Sequence, residues 1–186
     1  KVYLGEYASW GSKLSNALAE AAFMTGLERN GDVVEFASYA PLLGRIGHCQ
    51  WNPDLIYFDG RNVYPTVNYY VQQLFGTNSG DKIIDGVFAN DVNYASCVKD
   101  SNTDDIILKM VNLTNEPKPI AARLPSLKGY DTQAALTVLK GESLDDTNGQ
   151  GTPGKISPEN SGLKVSRNFV YPMPPRSLSV VRIKKQ

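Results

Sequence analysis

The chain has 186 residues, 41% hydrophobic and 20% charged, enough for one globular domain or for one domain and part of another. Its 19 basic residues balance 19 acidic ones, leaving no cationic surplus for phosphates or anionic lipid, which argues against nucleic-acid binding and a polybasic membrane anchor. The longest apolar stretch, Ala17 to Leu27, is broken by Glu20, Thr25 and Gly26 and falls short of the roughly 18 apolar residues that a membrane span needs.

From the start of the chain, Val2-Tyr3-Leu4 form a brief strand-like run. Ser12 or Ser15 is placed to cap a helix reaching about Arg29, with Leu14, Ala17, Leu18, Ala21, Met24 and Leu27 at helical spacing. Ala19, Ala22 and Phe23 make its other side apolar too, so this helix is expected to be packed on most faces. Asn30-Gly31 ends it, Asp32 to Phe36 turns once more, and Ala37 to Ala40 forms a short buried strand stopped by Pro41. Leu42 to Asp54 reads as loop. Leu55 to Phe58 then reads as a strand closed by Asp59-Gly60, and Thr66 caps a helix built on Val67, Tyr70, Val71 and Leu74.

The composition changes near Gly80, which places a boundary between residues 1–80 and 81–186. Beyond it the apolar runs are short and β-branched: Lys82–Ala89, Tyr94–Lys99, Ile106–Thr114, Ile120–Leu124, Gln133–Leu139, Leu163–Val170 and Leu178–Ile183. Strands at this spacing predict an antiparallel, jelly-roll-like β-sandwich, so the fold class is mainly β. Gly141–Gly162, rich in Gly, Asp, Asn, Ser and Pro, is the long connection.

Glu6 follows the first strand run and leads into a helix, the position from which an α/β barrel presents groups to substrate. Tyr7 and Trp10 beside it supply flat apolar faces suited to sugar C–H groups. On spacing alone, a solvated glutamate at a strand end is the commoner outcome.

The residues narrow this further. Val2-Tyr3-Leu4-Gly5-Glu6-Tyr7-Ala8, the run Ala17 to Asn30, and Ala37-Ser38-Tyr39-Ala40-Pro41-Leu42 closely resemble α-L-arabinofuranosidases of glycoside hydrolase family 51. Trp51-Asn52-Pro53-Asp54-Leu55-Ile56, Asn68 to Phe75 and Met173 to Val180 resemble the same family in the same order. The resemblance implies the C-terminal portion of a larger enzyme: the last two strands and helices of a (β/α)8 barrel in residues 1–80, then the sandwich. It also implies a retaining mechanism with Glu6 as nucleophile and no cofactor or metal. The acid/base glutamate of the family lies in an Asn-Glu pair on an earlier barrel strand, outside this chain. The implied partner is an arabinose-containing polysaccharide or oligosaccharide, and the implied location is extracellular or periplasmic, with the cytoplasm as the alternative because some members of that family are intracellular.

Other features carry less. Gly149-Gln150-Gly151-Thr152-Pro153-Gly154 matches a nucleotide-binding pattern literally, yet no strand precedes it and Pro153 forbids the helix. Asn115-Glu116 precedes Pro117 between two strands and reads as a turn. His48 reads as a solvated loop residue, whereas Trp51 in the same loop is a candidate to stack on a sugar. Asn112-Leu113-Thr114 is a formal glycosylation sequon inside a strand pattern. Cys49 and Cys97 fit either two buried thiols or one bridge, the free thiols being the first expectation, and lack metal-ligand spacing. Lys1 follows no visible leader, so a secretion signal is expected to have been removed or to lie upstream.

The combined reading is a fragment of a retaining arabinofuranosidase in which Glu6 attacks and Tyr7, Trp10 and Trp51 form walls. The rival is a non-catalytic sandwich, either a support for the barrel or a carbohydrate-binding module. Two barrel strands cannot close a barrel, so the chain is expected either to form a homo-oligomer through Lys1–Phe75 or to rearrange that region against the sandwich.

Overall fold

The computed structural model describes residues 1–88 and 94–186; the last residue of the expected strand Lys82–Ala89 lies outside them. The first part is a parallel pair, β1 (Val2–Tyr7) and β2 (Val34–Tyr39), joined by α1 (Leu14–Arg29). A small sheet of β3 (Leu43–Arg45), β4 (Ile56–Phe58) and β5 (Val63–Pro65) follows, with β4 central, and leads into α2 (Val67–Thr77). The remaining strands are β6 (Lys82–Ile83), β7 (Ala95–Lys99), β8 (Ile106–Asn112), β9 (Lys118–Arg123), β10 (Gln133–Lys140), β11 (Glu159–Lys164), β12 (Asn168–Met173) and β13 (Ser177–Ile183). They form an antiparallel six-stranded sheet in the order β11-β10-β13-β8-β7-β6, and a β12-β9 pair.

The six-stranded sheet is apolar on both faces, and strand alternation explains why. In β8, Ile106, Leu108 and Met110 join Ile120, Ala122, Tyr171 and Met173 of the β12-β9 pair in the sandwich core. Ile107 and Val111 point the other way and pack with Leu14, Leu18, Ala21, Val71 and Phe75 of the two helices. A strand buried on both faces reads as a nearly unbroken apolar run, as Ile106 to Val111 does apart from Lys109.

Lys109 is on the helix side and is 0% exposed. Its ammonium donates to Glu28 Oε1 at 2.6 Å and lies 5.2 Å from the centre of the Phe75 ring. Ser96 on β7 donates to Glu28 Oε2, and Arg29 Nη1 donates to the Ala95 carbonyl at 2.6 Å. Loss of water lowers the Lys109 pKa, and Glu28 opposes that shift. The last turn of α1 is thus locked to the sheet.

The first turn is locked as well. A helix leaves its first N–H groups without intrahelical acceptors, and here Leu14 and Ser15 donate to the carbonyls of Asp146 and Leu144 at 2.8 and 3.0 Å. The loop approaches closely at its start: a Cβ on Gly141 would lie 2.8 Å from Leu14 Cδ2.

Several expectations need correction. Lys13, not Ser12 or Ser15, occupies the N-cap position; its N–H donates to Asn16 Oδ1, and the sandwich loop supplies the acceptors a serine would have provided. Strand β2 begins at Val34 and buries only Tyr39, because parallel pairing with β1 extends it back through the expected turn while its other edge stays open. Leu42 to Asp54 contains β3, and β5 forms a hairpin with β4 around the Asp59 turn. Leu163–Val170 is not one strand: the chain leaves β11 after Lys164 and enters β12 at Asn168, changing sheets. Ala19 is exposed and Phe23 is half-exposed, covered on one side by Tyr7, so α1 is packed on fewer faces than expected. The rearrangement against the sandwich does not occur either. Helix α1 stays on the six-stranded sheet and β1-β2 keep their parallel pairing, leaving Tyr3 and Phe36 exposed in an edge-to-face pair.

Cys49 and Cys97 are both free, one exposed and one buried. The sequon asparagine is buried, with its amide donating to the carbonyls of Glu116 and Pro174 at 2.9 Å, so it serves the β8–β9 turn and is closed to a glycan in the folded chain. No helix among the described residues is long and apolar enough to cross a membrane.

Removing Lys109 leaves Glu28, which is 18% exposed, charged and without its partner against the sheet, whereas replacing both with apolar groups does not. Lys109→Met alone should cost about 3–5 kcal/mol in denaturant unfolding, and Lys109→Met with Glu28→Leu should recover most of that loss.

Candidate active site

Strand β1 presents successive side chains to opposite faces. Glu6 is exposed, near the carboxyl end of the strand, and lines a cleft of about 540 Å³. Tyr7, Trp10, Pro41, Trp51 and Asn52 line the same cleft. All four residues singled out from sequence, Glu6, Tyr7, Trp10 and Trp51, therefore meet in one depression. Glu6 is the one carboxylate among its described lining residues.

The two tryptophans come from different loops and are 94% (Trp10) and 69% (Trp51) exposed. Trp51 is presented by a segment held at several points. Tyr57 donates its hydroxyl to Asn52 Oδ1 at 2.6 Å and accepts from the Asp54 N–H at 2.8 Å. The Cys49 thiol donates to the Arg45 carbonyl.

Tyr7 differs from the simple wall expected of it. Its ring packs against Phe23 and Tyr39, and its hydroxyl donates to Gln72 Oε1 at 2.9 Å, pointing back toward the helices. Burial raises its pKa, so it is a neutral donor at ordinary pH.

Behind the cleft lies a polar cluster that the sequence reading missed. Glu20 on α1 is 3% exposed; its Oε1 accepts from the Ser9 N–H at 2.9 Å and from Asn68 Nδ2 at 2.7 Å. Asn16 donates to the Ser9 hydroxyl, and Asn68 Nδ2 also reaches the Gly11 carbonyl at 3.3 Å. The signal available in the sequence was an acidic residue set in the apolar face Ala17-Leu18-Ala21.

The remaining candidates fall elsewhere. His48 is exposed and does not line the cleft. Asn115 and Glu116 sit in the β8–β9 connection. Gly149 and Thr152 close a tight turn, so the glycine-rich stretch forms no nucleotide cradle. Among the described residues no group of three or more His, Cys, Asp or Glu is placed to hold a metal ion.

A family model described as the α-L-arabinofuranosidase C-terminal domain matches residues 5–177. An extracellular exo-α-L-arabinofuranosidase of Streptomyces chartreusis is 57% identical over 84 residues, 45% of this chain and 10% of that protein. α-L-Arabinofuranosidase A of Aspergillus niger is 33% identical over 185 residues, 96% of this chain and 29% of that protein. The solved structure of an arabinose-bound α-L-arabinofuranosidase, MgGH51, superposes with a TM-score of 0.88 at 29% identity, covering 99% of this chain and 32% of that one. The chain thus spans under a third of the length of these relatives.

Both indoles should be reached by acrylamide in the isolated chain, quenching its tryptophan emission as a single accessible population. A protected tryptophan fraction would mean that a second copy or a refolded segment covers the cleft.

Proposed function

The chain belongs to the α-L-arabinofuranosidase C-terminal domain family, and from that premise we propose that it is the C-terminal part of a longer retaining α-L-arabinofuranosidase in which Glu6 is the nucleophile. The observation that carries this reading is the cleft itself: a single carboxylate at a strand end, flanked by two exposed indoles. In this reading residues 1–80 close the catalytic barrel and residues 81–186 support it. The open edges of β1 and β2 meet the upstream barrel strands in the longer enzyme, and in the isolated chain the same edges pair copies with one another.

The substrate is a terminal α-L-arabinofuranosyl residue on an arabinan- or arabinoxylan-type chain. Its ring lies between Trp10 and Trp51, whose faces replace water along the sugar C–H groups. Glu6 attacks the anomeric carbon while an acid carboxyl protonates the departing glycosidic oxygen, passing through an oxocarbenium-like state to a covalent glycosyl-enzyme. The same second carboxyl then takes a proton from water, which attacks the anomeric carbon and releases arabinose with its configuration retained. That geometry needs the two carboxyl groups about 5 Å apart. The second one comes from an upstream barrel strand, so the isolated chain is inactive. A polymer of this kind is met outside the cell, and the Streptomyces relative is itself named extracellular.

The sandwich fits a supporting role better than a sugar-binding one. The outer face of its larger sheet is covered by α1 and α2. Of its aromatics, Tyr171 is buried, Phe88, Tyr130 and Phe169 are half-buried against the core, and Tyr94 is exposed.

In the longer enzyme, Glu6→Gln should lower turnover of an aryl α-L-arabinofuranoside by several orders of magnitude with folding intact, because an amide has no anionic oxygen to attack with. Glu6→Ala should regain turnover with azide, giving an arabinofuranosyl azide of inverted configuration. Near-normal turnover by Glu6→Gln would remove the role.

A further inference from the structure

Glu20 is one of the most deeply buried acidic residues described, yet the chemistry above does not use it. It lies between the β1–α1 loop and α2, directly behind the residues that line the cleft. On one side, its Oε1 accepts from the backbone of Ser9, the residue before Trp10. On the other, the same oxygen accepts from Asn68, which also holds the Gly11 carbonyl just beyond Trp10. Trp10 is therefore bracketed by two residues tied to the Glu20–Asn68 pair, while its own ring is almost wholly in solvent.

The other carboxylate oxygen has no hydrogen-bond partner, and neither do three buried polar atoms of this region, the Tyr39 hydroxyl, Asn68 Oδ1 and Gln72 Nε2. Tyr39 and Gln72 face Glu20 closely enough to influence its ionisation without meeting hydrogen-bond geometry. Burying a carboxylate is costly even with donors at hand, and a simple core position between Ala17 and Ala21 would be filled more cheaply by leucine. Gln72 also accepts from Tyr7, so the cluster reaches the residue next to Glu6 on β1.

We propose that Glu20 is a positioning residue for substrate binding: it fixes the Ser9–Gly11 segment from behind and so sets the place of Trp10 relative to Glu6. This rests on the reading of the cleft as the arabinofuranosyl site. The role is one of aim and not of chemistry, because Glu20 is sealed from the cleft by the loop it holds. Burial raises its pKa above the ordinary carboxylate range, while the Ser9 and Asn68 donors pull it back.

The test is a double-mutant cycle in the longer enzyme, read on an aryl α-L-arabinofuranoside. Glu20→Met keeps the length and bulk of the side chain and removes both acceptors. It should raise KM about tenfold, the scale of a lost hydrogen bond to a charged group, with kcat changed by less than about threefold. Glu20→Gln, whose amide oxygen still accepts from Ser9, should recover most of the loss. Combined with Trp10→Ala, Glu20→Met should add almost nothing, because the residue it aims is gone. If Glu20→Met does not fold, Glu20→Asp, which withdraws the oxygen from Ser9, is read in the same way. An unchanged KM in a folded Glu20 variant, or a loss that adds in full to that of Trp10→Ala, overturns the inference. Inactivity of Glu6→Gln with an unmoved Glu20 series overturns this inference alone; full activity of Glu6→Gln overturns the reading on which it rests.

Discussion

Lys109 stands in the middle of the most deeply buried strand of the sandwich, and its charge can remain there because Glu28 reaches it from α1. The ion pair contributes little net stability compared with an apolar pair of the same bulk. What it contributes is position. Glu28 meets Lys109 and Ser96 in one geometry, Arg29 adds the Ala95 carbonyl, and the first turn of α1 is tied to the Asp146 and Leu144 carbonyls. Held at both ends, α1 cannot slide along the sheet. The strand before it carries Glu6 and the strand after it pairs with that one, so the orientation of the cleft relative to the sandwich follows from these contacts.

Strand β1 then divides its work by alternation. Glu6 faces the cleft, whereas Tyr7 turns its hydroxyl back to Gln72 and its ring to Phe23 and Tyr39. The front of the strand is open and anionic; the back is aromatic and hydrogen-bonded. Each loop that brings an indole to the front is fastened from behind, Trp51 through Tyr57 and Trp10 through Glu20 and Asn68. Exposed walls on fastened loops suit the proposed sugar site, which could then fill without first paying to order its own backbone.

Much of this was legible in the chain. Helical spacing located α1 and α2, Thr66 caps α2 by accepting from the Tyr69 N–H as its position suggested, and the β-branched runs located most of the sandwich. Glu6 and Trp10 stood out by their place at the end of a strand run and Trp51 by its loop, and the resemblance to a known family gave Glu6 the role proposed for it. What stayed hidden depends on contacts between distant segments. The N-cap of α1 could not be read because its acceptors lie some 130 positions away in the chain, in the Leu144–Asp146 loop. Strands β3 and β5 are three residues each, too short for a period to emerge. The switch of sheets between β11 and β12 leaves no mark but Ser166-Arg167, and Lys109 looks like an ordinary solvated lysine until Glu28 is beside it.

In the proposed reaction Glu6 becomes covalently bonded to the sugar. This can be tested most directly by trapping that bond in the longer enzyme with a 2-deoxy-2-fluoro-arabinofuranosyl donor carrying a reactive leaving group. Fluorine slows both oxocarbenium-like steps, while the leaving group keeps the first one fast, so the intermediate accumulates. Peptide mass spectrometry should place one fluoroarabinosyl group on the carboxylate of Glu6. A label on any other carboxylate, or catalysis with retained configuration and no label at Glu6, would rule Glu6 out as the nucleophile.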